Sequence, residues 1–228
     1  MNKIKTALIS VWDKTDIDVL AKKLNDIGIE IVSSGGTAKF LRDKGISVKD
    51  VSEITNFPEM LDGRVKTLHP KIHAGLLAIR GNKEHEESLK QESISTIDLV
   101  VVNFYPFESV IKKDGIKFQE VIENIDIGGP TIVRAAAKNF QDVTVITSPS
   151  DYSEIYNQIS DGELKITKEA NYEFCKKAYP YVSKYDAAIS NHLGTPNLDN
   201  PKNKIPDTLT LHYKKAYNLR YGENPHQE

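Results

Sequence analysis

The chain has 228 residues, 30 of them Lys or Arg and 32 Asp or Glu, for a net charge of −2 and an isoelectric point near 6.3. With 39% hydrophobic and 27% charged residues, it has the balance of a folded globular chain, which excludes disordered and collagen-like classes and lacks the basic field that nucleic-acid binding draws on. The lone cysteine, Cys175, cannot close an internal disulfide and fits a reducing compartment. No run approaches the roughly 20 apolar residues of a bilayer span, and the apolar part of the opening MNKIKTALISVW is too short for a secretory leader.

Short β-branched runs alternate with longer amphipathic segments. In chain order the pattern predicts a strand at Thr6–Val11, a helix from Asp16 to Ile27, a strand at Glu30–Ser33, and a helix from Thr37 to Lys44 stopped by Gly45. Strands at Ser47–Val51 and Leu76–Ile79 and a helix at Lys83–Glu92 come next. Leu99–Phe104 is apolar on both faces, as a central parallel strand covered by helices must be. Helices at Phe118–Asn124 and Thr131–Phe140, a strand at Val143–Thr147, and helices at Ser150–Ser160 and Lys168–His192 complete the pattern. This alternation argues for an α/β fold with a mainly parallel sheet. After Leu193, GTPNLDNPKNKIPD is rich in proline and turn dipeptides and reads as a boundary. The TLTLHY run beyond it alternates like a strand before the chain turns polar.

Four segments could carry chemistry. Ser34-Gly35-Gly36-Thr37 lies between a predicted strand and a predicted helix, where free amides, a partial positive charge and two hydroxyls would suit a phosphate or carboxylate. The same residues also make a tight turn with a cap, and spacing alone does not choose. Arg64, Lys66, His69, Lys71 and His73 crowd cationic groups into one Gly- and Pro-shaped segment, which points to an anionic ligand over a solvated loop. His69 and His73 are four apart, but Pro70 argues against a helical metal pair. Asn103 and Tyr105 stand at the carboxyl end of the buried strand, where open α/β sheets bind ligands. Asp126-Ile127-Gly128-Gly129 precedes Pro130, placed at a first helical position, and Arg134 and Lys138 share a face of that helix. Ser10 and Lys14 flank the first strand–helix turn, and Cys175 reads as a small core residue on an amphipathic helix.

Taken in order, ALISVWDKT, IVSSGGTAKFL, EMLDGRVKTLHPKIHAGLLA, DLVVVNFYPF, NIDIGGPTIVRAAAKN and LRYGENPHQ closely resemble the bifunctional purine-biosynthesis family, which joins an N-terminal IMP cyclohydrolase to a C-terminal AICAR transformylase. The resemblance implies a methylglyoxal-synthase-like three-layer α/β sandwich over residues 1–195. Residues 196–228 would then be a linker and the start of the transformylase domain. It implies ring closure of 5-formamidoimidazole-4-carboxamide ribotide (FAICAR) to IMP in a cytoplasmic homodimer, without metal or organic cofactor, nucleic acid or membrane. By the same resemblance Lys66, Tyr105, Asp126 and Lys138 form the catalytic set. Ser10, Lys14, Ser34, Gly35, Gly36, Thr37, Arg64, Thr67, Asn103, Ile127, Gly128 and Gly129 would contact substrate. Asp126 and Lys138 are expected to orient and deprotonate the amide, and Lys66 and Tyr105 to serve the departing oxygen. No formyl transfer is expected, because the chain stops just past RYGENPHQ. The family usually reads S-V-S-D-K at the first turn, whereas this chain has Ser10-Val-Trp12-Asp-Lys. A phosphate contact is then missing, or the indole packs over the ligand. A nucleotide-sensing effector domain of the same fold is the alternative reading; it would not need Lys66, Tyr105, Asp126 and Lys138 together.

Overall fold

The computed structural model describes residues 2–58, 60–65, 67–194 and 206–218. The first elements are β1 (Asn2–Lys3), β2 (Thr6–Val11), α1 (Ile17–Asp26), β3 (Glu30–Ser33), α2 (Gly35–Asp43), β4 (Lys49–Asp50), α3 (Val51–Thr55), α4 (Pro70–Leu77) and α5 (Lys83–Gln91). They are followed by β5 (Leu99–Asn103), α6 (Phe107–Val110), α7 (Phe118–Glu123), α8 (Gly128–Lys138), β6 (Thr144–Ile146), α9 (Tyr152–Tyr156), β7 (Ile159–Ser160), β8 (Glu163–Ile166) and α10 (Lys168–Leu193). The chain forms two compact units, residues 1–182 and 183–228.

In the first unit a five-stranded sheet has the order β4-β3-β2-β5-β6, and every neighbouring pair is parallel. All five residues of β5 are buried, as its two-sided apolar pattern requires. Ile9, Leu20, Leu24, Ile31 and Val101 belong to one core cluster that joins the sheet to α1. At the amino ends of the strands, Asp98 accepts from the Lys5 and Thr6 amides at 3.0 and 3.1 Å and from Arg80 at 3.3 Å. Arg80 also donates to the Ile97 carbonyl at 2.8 Å, so this part-buried charge pair has its hydrogen bonds met. The expected α/β architecture is therefore present.

Several expected elements differ. The strand predicted at Leu76–Ile79 is instead the last two residues of α4 with Ala78 and Ile79 after them. Pro70 is the first helical residue, the Nδ1 atom of His69 accepts from the Lys71 amide at 3.2 Å, and Ile72 and Leu76, four apart, form a buried helix face. The Ser47–Val51 strand shrinks to Lys49–Asp50, because Asp50 caps α3 in a reciprocal box with Glu53 and turns Val51 into a helical residue. The helix predicted at Ser150–Ser160 divides into a short 3-10 turn, α9 and β7. Asp161 and Gly162, at φ 53° and 73°, make the two-residue hairpin that pairs β7 with β8. With β1 these strands form a small antiparallel sheet. α8 begins at Gly128, so Pro130 is its third residue and not its first. Cys175 is buried, as expected, with Sγ 3.3 Å from the Ala137 carbonyl.

In the second unit the Asn191 amide exchanges two 2.8 Å hydrogen bonds with the backbone of Thr210. Residues 206–218 carry no helix or strand among the described residues, so the strand-like alternation of TLTLHY forms no sheet there. Residues 195–205 of the proline-rich boundary and all of RYGENPHQ lie outside the described residues. Among the described residues no helix is long and apolar enough to cross a membrane.

Gly75 packs α4 against the segment entering β5: a Cβ there would stand 2.6 Å from the Ser95 carbonyl oxygen, and Ile97 donates to the Gly75 carbonyl at 3.1 Å. Gly75→Ala is expected to lower unfolding free energy in urea by about 1–3 kcal/mol through overpacking, and an unchanged midpoint would show that this junction yields without strain.

Candidate active site

The carboxyl ends of β2, β3 and β5 open onto one cleft of about 680 Å³. Parallel strands force this arrangement, since every strand-to-helix turn emerges on the same edge of the sheet. Ser10, Lys14, Ser34, Gly36, Thr37, Arg64, Thr67, Asn103, Tyr105, Asp126, Ile127, Gly128 and Gly129 all border it. Gly35, with φ 54°, opens α2 beside the wall without lining it. Lys66 lies outside the described residues. Lys138 is exposed at the far end of α8, roughly 15 Å along a helix that rises about 1.5 Å per residue, and does not border the cleft.

Several side chains expected to touch ligand also make hydrogen bonds or ion pairs within the walls. The Asn103 Oδ1 atom accepts from the amides of Trp12 and Asp13, each at 2.8 Å, while its Nδ2 donates to the Asp13 carbonyl at 3.2 Å. The Thr37 hydroxyl accepts from the Val11 amide at 3.1 Å and donates to the Val11 carbonyl at 2.9 Å. Arg64 is ion-paired with Glu123, and both side chains are exposed. Asp13 is held below the usual carboxylate range, first by the Thr15 hydroxyl and then by the Thr15 amide. Lys14 donates to the Val11 carbonyl at 2.9 Å; burial pushes its pKa below the ordinary value, with Asp13 opposing.

Two helices begin on this cleft, and they differ. At α8, Asp126 Oδ1 accepts from the Gly129 amide at 2.8 Å, so the helix start already holds a carboxylate. The double glycine allows that approach: a Cβ on Gly129 would meet Asp126 Oδ2 at 2.8 Å and Phe104 at 2.9 Å, and one on Gly128 would meet the Thr67 hydroxyl at 2.5 Å. At α2 no side chain caps the start. The first intrahelical bond is that of the Ala38 amide to the Ser34 carbonyl, which leaves the amides ahead of it as donors. The Ser34 hydroxyl is buried and has no hydrogen-bond partner among the described residues. An unmet buried hydroxyl costs about 1–3 kcal/mol, and an anion at α2 would supply the missing acceptor.

Part of the cleft lining is aromatic. Tyr105 is met edge-on by Trp12, with ring centres 4.6 Å apart at 73°, and Lys113 lies 5.3 Å from its ring centre. The Tyr181 hydroxyl accepts from the Phe104 amide at 3.2 Å, which fixes the peptide leading into Tyr105. Sequence reasoning left Trp12 and Tyr181 out of the site. Trp12 was visible only as a departure from the family pattern, and Tyr181, 76 residues beyond Tyr105 in the chain, carries no local signal. His69 and His73 lie in α4 and its cap and do not line the cleft. Among the described residues no group of three or more His, Cys, Asp or Glu is placed to hold a metal ion.

Comparison with known proteins adds three findings. Residues 16–131 match the family model of the MGS-like domain, and residues 136–228 match that of the AICARFT/IMPCHase bienzyme. The bifunctional purine biosynthesis proteins PurH of Acetivibrio thermocellus and Bacillus subtilis are 50% and 49% identical to the chain over 99% of its length. The chain spans only 43% of either relative. A solved structure titled "Crystal structure of ForH" superposes with a TM-score of 0.71 at 29% identity, covering 84% of this chain and 99% of the other.

The contrast between the two hydroxyls on α2 is directly testable. Ser34→Ala is expected to leave urea stability unchanged or slightly raised while weakening inorganic phosphate binding, read by calorimetry. Thr37→Val is expected to lose about 1–3 kcal/mol of stability by stripping the Val11 amide of its partner. The reverse pattern would exchange the two roles.

Proposed function

Because the chain belongs to the MGS-like domain family and matches the N-terminal part of bifunctional purine biosynthesis proteins at about 50% identity, we propose that its cleft is that of an IMP cyclohydrolase, closing FAICAR to IMP with loss of water. The observation that carries this reading is the pair of unlike helix starts: an uncapped one suited to a 5′-phosphate, and one already carrying Asp126 for chemistry. Residues 1–195 make up the cyclohydrolase portion in this proposal, and residues 196–228 the linker and the first segment of the transformylase portion. The homodimer and the cytoplasmic setting are part of the same proposal and rest on the family resemblance.

In this reading the α2 amides, the Ser34 hydroxyl and Lys14 hold the phosphate. The carboxamide nitrogen attacks the formyl carbon and forms the new C–N bond. One proton leaves the carboxamide nitrogen and one the formamido nitrogen; both depart with the former formyl oxygen as water. Asp126, fixed by the Gly129 amide, takes the carboxamide proton as general base. Tyr105 donates its hydroxyl to the developing oxyanion and then to the leaving oxygen. Lys66 shares that task by resemblance. The position of Lys138 supports no step in this cleft, so the amide-side role passes to Asp126 alone. Holding both reacting groups together removes several kcal/mol of barrier before any proton moves.

Mixing the chain with FAICAR should produce the absorbance change of IMP formation, and Asp126→Asn should lower kcat by roughly 10²–10⁴-fold; a folded chain that binds IMP and never turns FAICAR over would mark a sensing module. Phosphate affinity carries a pH signature. An anion restores the charged form of Lys14, so affinity should be full below its burial-lowered pKa and fall as pH climbs through it toward 10.5. That decline should vanish in Lys14→Met, and an identical profile in the variant would remove Lys14 from the phosphate site.

A further inference from the structure

Trp12 is the only tryptophan in the chain, and it is 53% exposed although it sits on a turn whose backbone Asn103 holds. Its amide donates both to the Asn103 side-chain oxygen at 2.8 Å and to the Asn103 carbonyl at 3.1 Å. The indole meets Tyr105 edge-on and borders the cleft. A large apolar ring left open to water on a fixed backbone is a surface waiting for a planar partner. Ser10 and Lys14, on the same turn, stand beside the phosphate end of the cleft.

We infer that Trp12 is a further substrate-binding residue, an aromatic wall against which the planar nitrogen heterocycle of a phosphorylated nucleoside stacks. This inference rests on the nucleotide reading proposed for the cleft. Stacking is sequence-tolerant in the chemical sense: any flat heterocycle with a π-face serves, so the wall adds affinity for the ring while hydrogen bonds elsewhere choose among rings. The pinned backbone lowers the ordering cost of that contact.

The test is a titration of the full chain with IMP, and in parallel with ribose 5-phosphate, which has the phosphate and sugar but no heterocycle. Tryptophan emission and calorimetry are read together. IMP is expected to quench emission with the saturation curve that calorimetry gives, while ribose 5-phosphate leaves emission unchanged. Trp12→Ala should weaken IMP binding by roughly ten-fold, the effect of losing one base–aromatic stack, and should raise the KM for FAICAR more than it lowers kcat. Trp12→Phe should recover most of the loss. Calorimetric IMP binding with unchanged emission and an unchanged affinity in Trp12→Ala would overturn the inference and leave the nucleotide reading standing. Failure of IMP to bind at all would overturn both. An emission shift that tracks protein concentration and ignores nucleotide would assign the indole to an interface between copies of the chain, and would also overturn it.

Discussion

The side-chain amide of Asn103 is the interaction on which the cleft depends. It ends β5, a strand buried along its whole length, and spends both its oxygen and its nitrogen on the backbone of the turn after β2. A neighbouring strand end and a loop are thereby joined by three hydrogen bonds from one residue that is itself only 8% exposed. Loops over a sheet are ordinarily its loosest parts. Here the Thr37 hydroxyl adds the start of α2 to the same junction, and the Tyr181 hydroxyl holds the peptide that leads into Tyr105. Walls fixed in this way lose little freedom when a ligand arrives, which is the physical basis of a preorganised site.

The same rigidity divides the electrostatic labour. Both helix starts on the cleft carry the partial positive charge of their free amides. At α8 that charge is spent on Asp126, which it orients; at α2 it meets a buried Ser34 hydroxyl, unpartnered among the described residues, and no side-chain cap. Lys14 adds a cation whose burial already makes its charge expensive without an anion nearby. An anion is therefore favoured at one end of the cleft, while the carboxylate at the other keeps a second anion away. Separated this way, binding and chemistry can be disturbed independently.

Much of the central sheet was legible because its signals are local. Two-sided apolar strands and Gly-Gly helix starts come from periodicity and from the conformational freedom of glycine, and β2, β3, β5 and β6 lie where the pattern put them. The Leu76–Ile79 run misled because short apolar runs suit a strand and a buried helix face alike, and the decision came from Pro70 and the His69 cap. Asp161-Gly162 is a hairpin turn dipeptide, but the helical period of Ser150–Ser160 hid the short strand β7 before it. Within the site, the residue types at the cleft were readable but their duties were not. Asn103, Thr37 and Arg64 look like ligand contacts in one dimension, and only the fold shows that they also bond the backbone of the wall or Glu123. Lys138 is the opposite case, a motif residue that stands at the last position of its helix and does not border the cleft.

The central claim is that α2, and not α8, receives the phosphate. A crystal structure of the chain with IMP bound tests it most directly. The account predicts phosphate oxygens within hydrogen-bond distance of the Ser34 hydroxyl and the first α2 amides, with the heterocycle reaching toward Tyr105 and Asp126. A phosphate seated on the Gly128–Gly129 amides, with Asp126 displaced, would contradict it.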